Sequence, residues 1–148
     1  MHNHILIATD GSKVSSAALV FGLDLAQELK AHVTVVTVTE IWSFFDIAQD
    51  DEMLMDNPIK EYEALCSRSA NLILKNATER AREVGVKVKT IHISDRKPAE
   101  AIVEEAQARK CDLIIVGSHG RSGIENFLLG SQSAKIIALS KVPVLVYK

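Results

Sequence analysis

Five short apolar runs rich in β-branched residues, separated by stretches of helical period, constrain this chain more than any other feature. The runs are Ile5–Ala8, Val33–Thr39, Val86–Ile93, Leu113–Val116 and Val144–Tyr147, and the order along the chain reads β-α-β-α-β-α-β-α-β. Crossovers of this length pack back right-handed, which predicts a doubly wound α/β fold, Rossmann-like, with helices on both faces of a five-stranded parallel sheet in the order 3-2-1-4-5. Ile5–Ala8 and Leu113–Val116 have no polar interruption, as expected of central strands buried on both faces.

The helices can be placed from their punctuation. The first is expected from about Ser12 to Lys30, capped by Ser12, with Val14, Ala18, Phe21, Leu25 and Leu29 facing inward. A second follows Pro58, turns Tyr62, Leu65, Leu72, Ala77, Ala81 and Val84 inward and ends at Gly85, which suits a left-handed residue. A third, opened by Pro98, buries Ile102 and Ala106 and exposes Glu100, Glu104 and Glu105. A fourth begins near Ser131 and stops before Pro143. The whole reads as one domain over residues 1–148, a length that can bury a core without disulfides or metals.

Charge and cysteine usage narrow the function classes. With 17 basic and 19 acidic residues, nothing draws the molecule as a whole to nucleic acid or an anionic membrane. Cys66 and Cys111 have neither metal-ligand nor redox spacing, which suits a reducing compartment. The start of the chain lacks a basic region leading into a long apolar stretch, so the expected location is the cytoplasm. His2 and His4 alternate like a metal pair without an identifiable third ligand, and no metal site is assigned.

In doubly wound sheets the ligand lies beyond the carboxyl ends of the strands, where the strand order reverses. That rule selects the loop Thr9-Asp10-Gly11-Ser12 and the segment from Gly117 to Ser131. The second segment holds four of the seven glycines, and glycine lets backbone N–H groups approach an anion or take positive φ. Gly130-Ser131 opens a helix whose first N–H groups and dipole favour phosphate, and Ser131 and Ser133 add hydroxyls. The segment is neither a Walker A loop, since Gly-Lys-Ser/Thr is absent from the chain, nor the dinucleotide fingerprint, since Gly-x-Gly-x-x-Gly does not follow the first strand. On the residues alone a glycine-rich loop could be mere connection, and Asp10 in Asp-Gly-Ser could be a helix cap.

The spacing Gly-x2-Gly-x9-Gly-Ser at Gly117, Gly120, Gly130 and Ser131 resembles the ATP-binding branch of the universal stress protein family. Ala8-Thr9-Asp10-Gly11-Ser12, the run from Cys111 to Gly120 and the closing Val142-Pro143-Val144-Leu145-Val146 extend the resemblance over the whole chain. It implies that Asp10 and Val38 lie near an adenine and that Val116, Gly117, His119 and Gly120 line the ribose and phosphates. Gly130, Ser131, Gln132 and Ser133 would hold the phosphates. One departure is Ser94-Asp95-Arg96-Lys97-Pro98, where a short glycine-containing turn is more usual.

These readings lead to an ATP-binding stress-response or signalling module whose nucleotide state tunes its shape or its binding of a protein partner, with Mg2+ entering only through the phosphates. His119 has no evident catalytic orienter, so no catalytic residue is assigned and ATP hydrolysis should be slow at most. The alternatives are an enzyme of phosphoryl or adenylyl transfer, for which Arg121 is the nearest cation, and a ligand-free dimerisation module; a flavin carrier would need its phosphate loop after the first strand. Val144, Leu145, Val146 and Tyr147 form an apolar run at the expected sheet edge, predicting a homodimer through that strand. The long connection from Glu40 to Pro58 reads either as a lid or partner surface, or as an acidic loop with its aromatics packed on the second helix.

Overall fold

The computed structural model describes residues 2–40, 58–120 and 129–148, apart from the side chains of Pro58 and Ile59. The connection from Glu40 to Pro58 beyond its two ends, and Arg121, lie outside the described residues. The elements run β1 (His4–Ala8), α1 (Lys13–Leu29), β2 (His32–Thr39), α2 (Pro58–Glu83), β3 (Val88–Ser94), α3 (Pro98–Ala108), β4 (Leu113–Gly117), α4 (Ser131–Leu139) and β5 (Val144–Tyr147). The five strands form one sheet in the order β3-β2-β1-β4-β5, parallel throughout. Ile5 sits opposite Val33 on one side and Leu113 on the other, so the two uninterrupted apolar runs are adjacent at the centre, as their composition requires.

Strand alternation divides the core in two. Ile5, Ile7, Val33, Val35, Leu113 and Ile115 face α1 and α2, while Leu6, Ala8, Val36, Ile114 and Val116 face α3 and α4. The helices meet the sheet through small residues interspersed with leucines. On α1 the buried stripe is Ser15, Ala18, Leu19, Gly22, Leu23 and Ala26, and on α2 it includes Ala70, Leu74, Ala77 and Ala81. This corrects the predicted faces at Phe21, Leu65 and Leu72, while Ala18, Leu25, Leu29, Ala77, Ala81 and Val84 pack inward as expected. Phe21 is exposed, with its ring against Tyr147, and Leu65 and Leu72 are 56% and 61% exposed. A helix lying close on a sheet can seat small side chains beside leucines at the seam, which a search for bulky apolar residues misreads. Glu100 and Glu105, expected to be exposed, are half-buried, and Glu104 is exposed.

Three helices end in the same way, with backbone bonds folding the chain directly towards the next strand. Val86 N–H donates to Ala81 O and Gly85 N–H to Arg82 O, with Gly85 at φ 73°, a Schellman ending. This carries Val86 into the cap, and β3 begins only at Val88. Lys30 and Lys110 take the same left-handed conformation at φ 55° and 54°, with Ala31 and Cys111 donating back to Ala26 and Ala106.

Candidate functional site

The loop after β1 is tied together by its own side chains. Asp10 Oδ1 accepts from Ser12 N–H at 2.9 Å and from Ser15 Oγ at 2.8 Å, and Ser12 Oγ accepts from Ser15 N–H. Asp10 Oδ1 thus makes the turn that leads into α1, while the cap itself is Ser12. Oδ2 lies where a Cβ on Gly120 would collide with it, so the absent side chain of Gly120 is what lets the loops after β1 and β4 meet. Gly117 is buried with Val14 and the Ser15 backbone packed over its Cα, which joins the end of β4 to the start of α1.

The loop after β4 meets the start of α4 just as closely. Gly130 N–H donates to Ser118 O at 2.5 Å, Ser118 N–H donates to Tyr147 O at 2.7 Å, and Ser133 Oγ donates to Gly117 O at 2.7 Å. Gly130 has φ −68°, so close approach rather than positive φ demands glycine there. A Cβ at this position would lie 2.9 Å from Ser118 O and 3.1 Å from His119 Cα. Gly130 is also the N-cap of α4 and supplies no side-chain acceptor. Among the described residues, no acceptor is found for the N–H groups of Ser131, Gln132 or Ser133. Such a helix start attracts anions, because its donors are unsatisfied and the dipole is positive there.

The structure brings the sequence-predicted residues to one end of the sheet. Val38 and Val116 belong to the core on the α3 and α4 side, Val116 buried and Val38 half-buried. Asp10 follows β1, Gly117 ends β4, and His119 and Gly120 lie in the loop beyond. The His119 ring places Nδ1 3.1 Å from Ser118 Oγ. Gly130, Ser131, Gln132 and Ser133 form the start of α4. A cleft of about 420 Å3 opens beside them, lined by Glu40, Lys97, Gln132 and Lys135.

Two residues missed from the sequence prove central. Ser15 is 4% exposed and its hydroxyl links Asp10, Ser12 and Thr9; the pattern Asp-x-Ser-x-x-Ser was the available signal. Ser118, 4% exposed, bonds through its backbone to both α4 and β5, and its only signal was its place between Gly117 and His119. In the departing turn after β3, Asp95 takes φ 56° and its N–H donates to Thr39 O, so aspartate adopts there the left-handed conformation usually left to glycine.

A second hollow of about 330 Å3 lies on the α2 side, lined by Thr39, Tyr62, Cys66 and His92 among others. His92 Nε2 is 2.8 Å from Thr39 Oγ1, and burial pulls its pKa below the ordinary histidine value. None of the predicted site residues lines it, and it lacks the open helix start, so the end of β4 and the start of α4 make the stronger candidate.

A parallel sheet in this order, with an open helix start beyond the carboxyl end of β4, defines a doubly wound α/β protein whose candidate ligand site lies at the strand-order reversal. The chain belongs to the universal stress protein family, whose match extends over residues 1–148. It is 35% identical over 153 residues to universal stress protein YxiE of Bacillus subtilis, covering 100% of both chains. It is 34% identical over 149 residues to universal stress protein MJ0531 of Methanocaldococcus jannaschii, covering 100% of this chain and 83% of that one. The solved structure of MJ0577 from the same organism is 28% identical with a TM-score of 0.81, covering 100% of this chain and 96% of the other. A universal stress protein solved in complex with cAMP is 26% identical with a TM-score of 0.67, covering 98% and 95%.

Proposed function

We propose that residues 1–148 act as one nucleotide-binding unit, with ATP the preferred ligand, in a stress-response or signalling module. The observation that carries this reading is the open start of α4, held by Gly130 against the Ser118 carbonyl beside the glycine loop that ends β4. In this reading the backbone N–H groups of Ser131, Gln132 and Ser133 and the Ser131 hydroxyl hold phosphate oxygens. Gly117, His119 and Gly120 run along the ribose and phosphates, with Val116 beneath them and Asp10 and Val38 beside the base. The Ser133 hydroxyl is donated to Gly117 O, so Ser133 contributes its N–H. Any Mg2+ is carried in by the phosphates. The cAMP complex of a relative 26% identical to this chain supports a nucleotide as the ligand class.

The site favours binding over chemistry. The described donors suit phosphate oxygens, and the partner of the His119 ring is the Ser118 hydroxyl rather than a carboxylate. Nucleotide occupancy then serves as a signal, read by a protein partner or by a second copy paired through β5 at the sheet edge. Cytoplasmic residence is part of the same proposal.

Mass spectrometry of small molecules released by denaturing a purified, unsupplemented sample should recover an adenine nucleotide. Added ATP should raise the thermal midpoint, since a ligand of the folded state alone stabilises it by about 2.7 kcal/mol at a hundredfold excess over Kd. Melting curves unmoved by saturating ATP, ADP and AMP would overturn the reading.

A further inference from the structure

Ser118 joins the ends of two strands to the start of a helix, and it does so through its backbone. Its N–H donates to Tyr147 O at the end of β5, and its carbonyl accepts from the N–H of Gly130, the N-cap of α4. Ser118 is buried, and hydrogen bonds in such surroundings are stronger than in water. The place of the α4 start is therefore set by Ser118, and the place of Ser118 in part by the end of β5.

That end is the weak point of the path. β5 is a four-residue edge strand paired with β4, and all four of its residues are half-buried. Edge elements of this kind open locally more easily than central strands. On its other side the strand end is held by α1. The rings of Phe21 and Tyr147 lie 5.5 Å apart at 40°, within the range in which aromatic pairs attract each other. Tyr147 also packs on the core beneath α1 and α2. Phe21 stands about two turns into α1, away from the loop after β1. It is 39% exposed, so it fills no place in the core and its removal should leave the fold intact.

We propose that Phe21 and Tyr147 are positioning residues of the nucleotide site, their ring contact holding the end of β5 and, through Ser118, the phosphate donors at the start of α4. This assignment rests on the nucleotide reading above. Calorimetric titrations of ATP and inorganic tripolyphosphate into the wild-type chain, Phe21→Ala, Phe21→Tyr and Leu74→Ala test it. Phe21→Ala should weaken both ligands by the same factor, about threefold to tenfold, the reach of one aromatic pair. Phe21→Tyr keeps the ring contact and should restore the affinity. Leu74 is buried on α2 and lies off this path, so Leu74→Ala should lower the thermal midpoint more than Phe21→Ala does and leave both affinities unchanged. Amide hydrogen exchange without ligand gives a readout independent of the nucleotide: Phe21→Ala should speed exchange at Ser118 and Gly130 and leave β2 unmoved. Unchanged affinity or unchanged exchange in Phe21→Ala, an equal loss of affinity in Leu74→Ala, or a loss that comes with a change in sedimenting mass overturns the positioning role while the nucleotide reading stands. Failure of ATP and tripolyphosphate alike to bind the wild type removes both.

Discussion

Helices α1 and α4 both start at the carboxyl end of the central strands, yet their first turns are finished in opposite ways. At α1 the chain closes its own helix start: Ser12 caps Ser15 N–H, and Asp10 takes Ser12 N–H and the Ser15 hydroxyl. At α4 the N-cap is a glycine, and the nearby Ser133 hydroxyl is spent on Gly117 O. A helix start capped by a side chain has one free donor fewer, here Ser15 N–H. One left open must be satisfied by water or a ligand, and its positive end favours an anion. The contrast separates a loop that supports the site from a loop that binds.

The contrast can be broken most forcefully at Gly130. Gly130→Val would drive a side chain into the Ser118 carbonyl, opening the junction on which the phosphate donors depend. ATP binding should be lost, with a stability cost of about 1–3 kcal/mol, typical of overpacking. Titration calorimetry alongside circular dichroism melts checks both, and a folded variant with unchanged affinity would place the phosphates elsewhere.

A matched pair of serine substitutions sharpens the comparison. Ser12→Ala should cost about 1 kcal/mol of stability through the lost cap and leave ATP affinity unchanged. Ser131→Ala should do the reverse, weakening affinity by about 0.5–1.5 kcal/mol with little change in the melt. Equal weakening of ATP binding by both would erase the distinction between the two helix starts.

The smallest effect is expected at the amino end of the sheet, remote from both loops. Burial disfavours the charge of Asp112, but hydrogen bonds from the N–H groups of Asn3 and His4, together with His2, outweigh it and hold the carboxyl below its ordinary value of 3.8. A depressed carboxylate pKa contributes stability that is full above the unfolded value and lost as pH falls through the folded one. Asp112→Asn should therefore flatten the acid limb of a stability profile below about pH 4. The side chain is 38% exposed, so the change should be small, and nucleotide affinity at neutral pH should not move.

Legibility followed locality. Strand positions and their alternation with helices could be read because burial on both faces leaves an apolar run, and the end of α2 because Gly85 marks a left-handed residue. The equivalent endings at Lys30 and Lys110, and the turn at Asp95, carry no such mark because these residue types are common elsewhere. The inward faces of α1 and α2 were misread at Phe21, Leu65 and Leu72, where Leu19, Leu23 and Leu74 with neighbouring small residues form the seam instead.

By itself the sequence determined the order of elements, the central place of Ile5–Ala8 and Leu113–Val116, and the candidate loops, since each depends on residues close together in the chain. Tertiary structure alone decided what those loops do. Gly130 must be glycine because Ser118 O packs against it, and Gly120 because Asp10 occupies the space of its missing side chain. The Ser133 hydroxyl is committed to Gly117 O, and Gln132 is left with an unpartnered oxygen. These are contacts between segments distant in sequence, and their distances arise only when the sheet brings the ends of β1 and β4 and the start of α4 together.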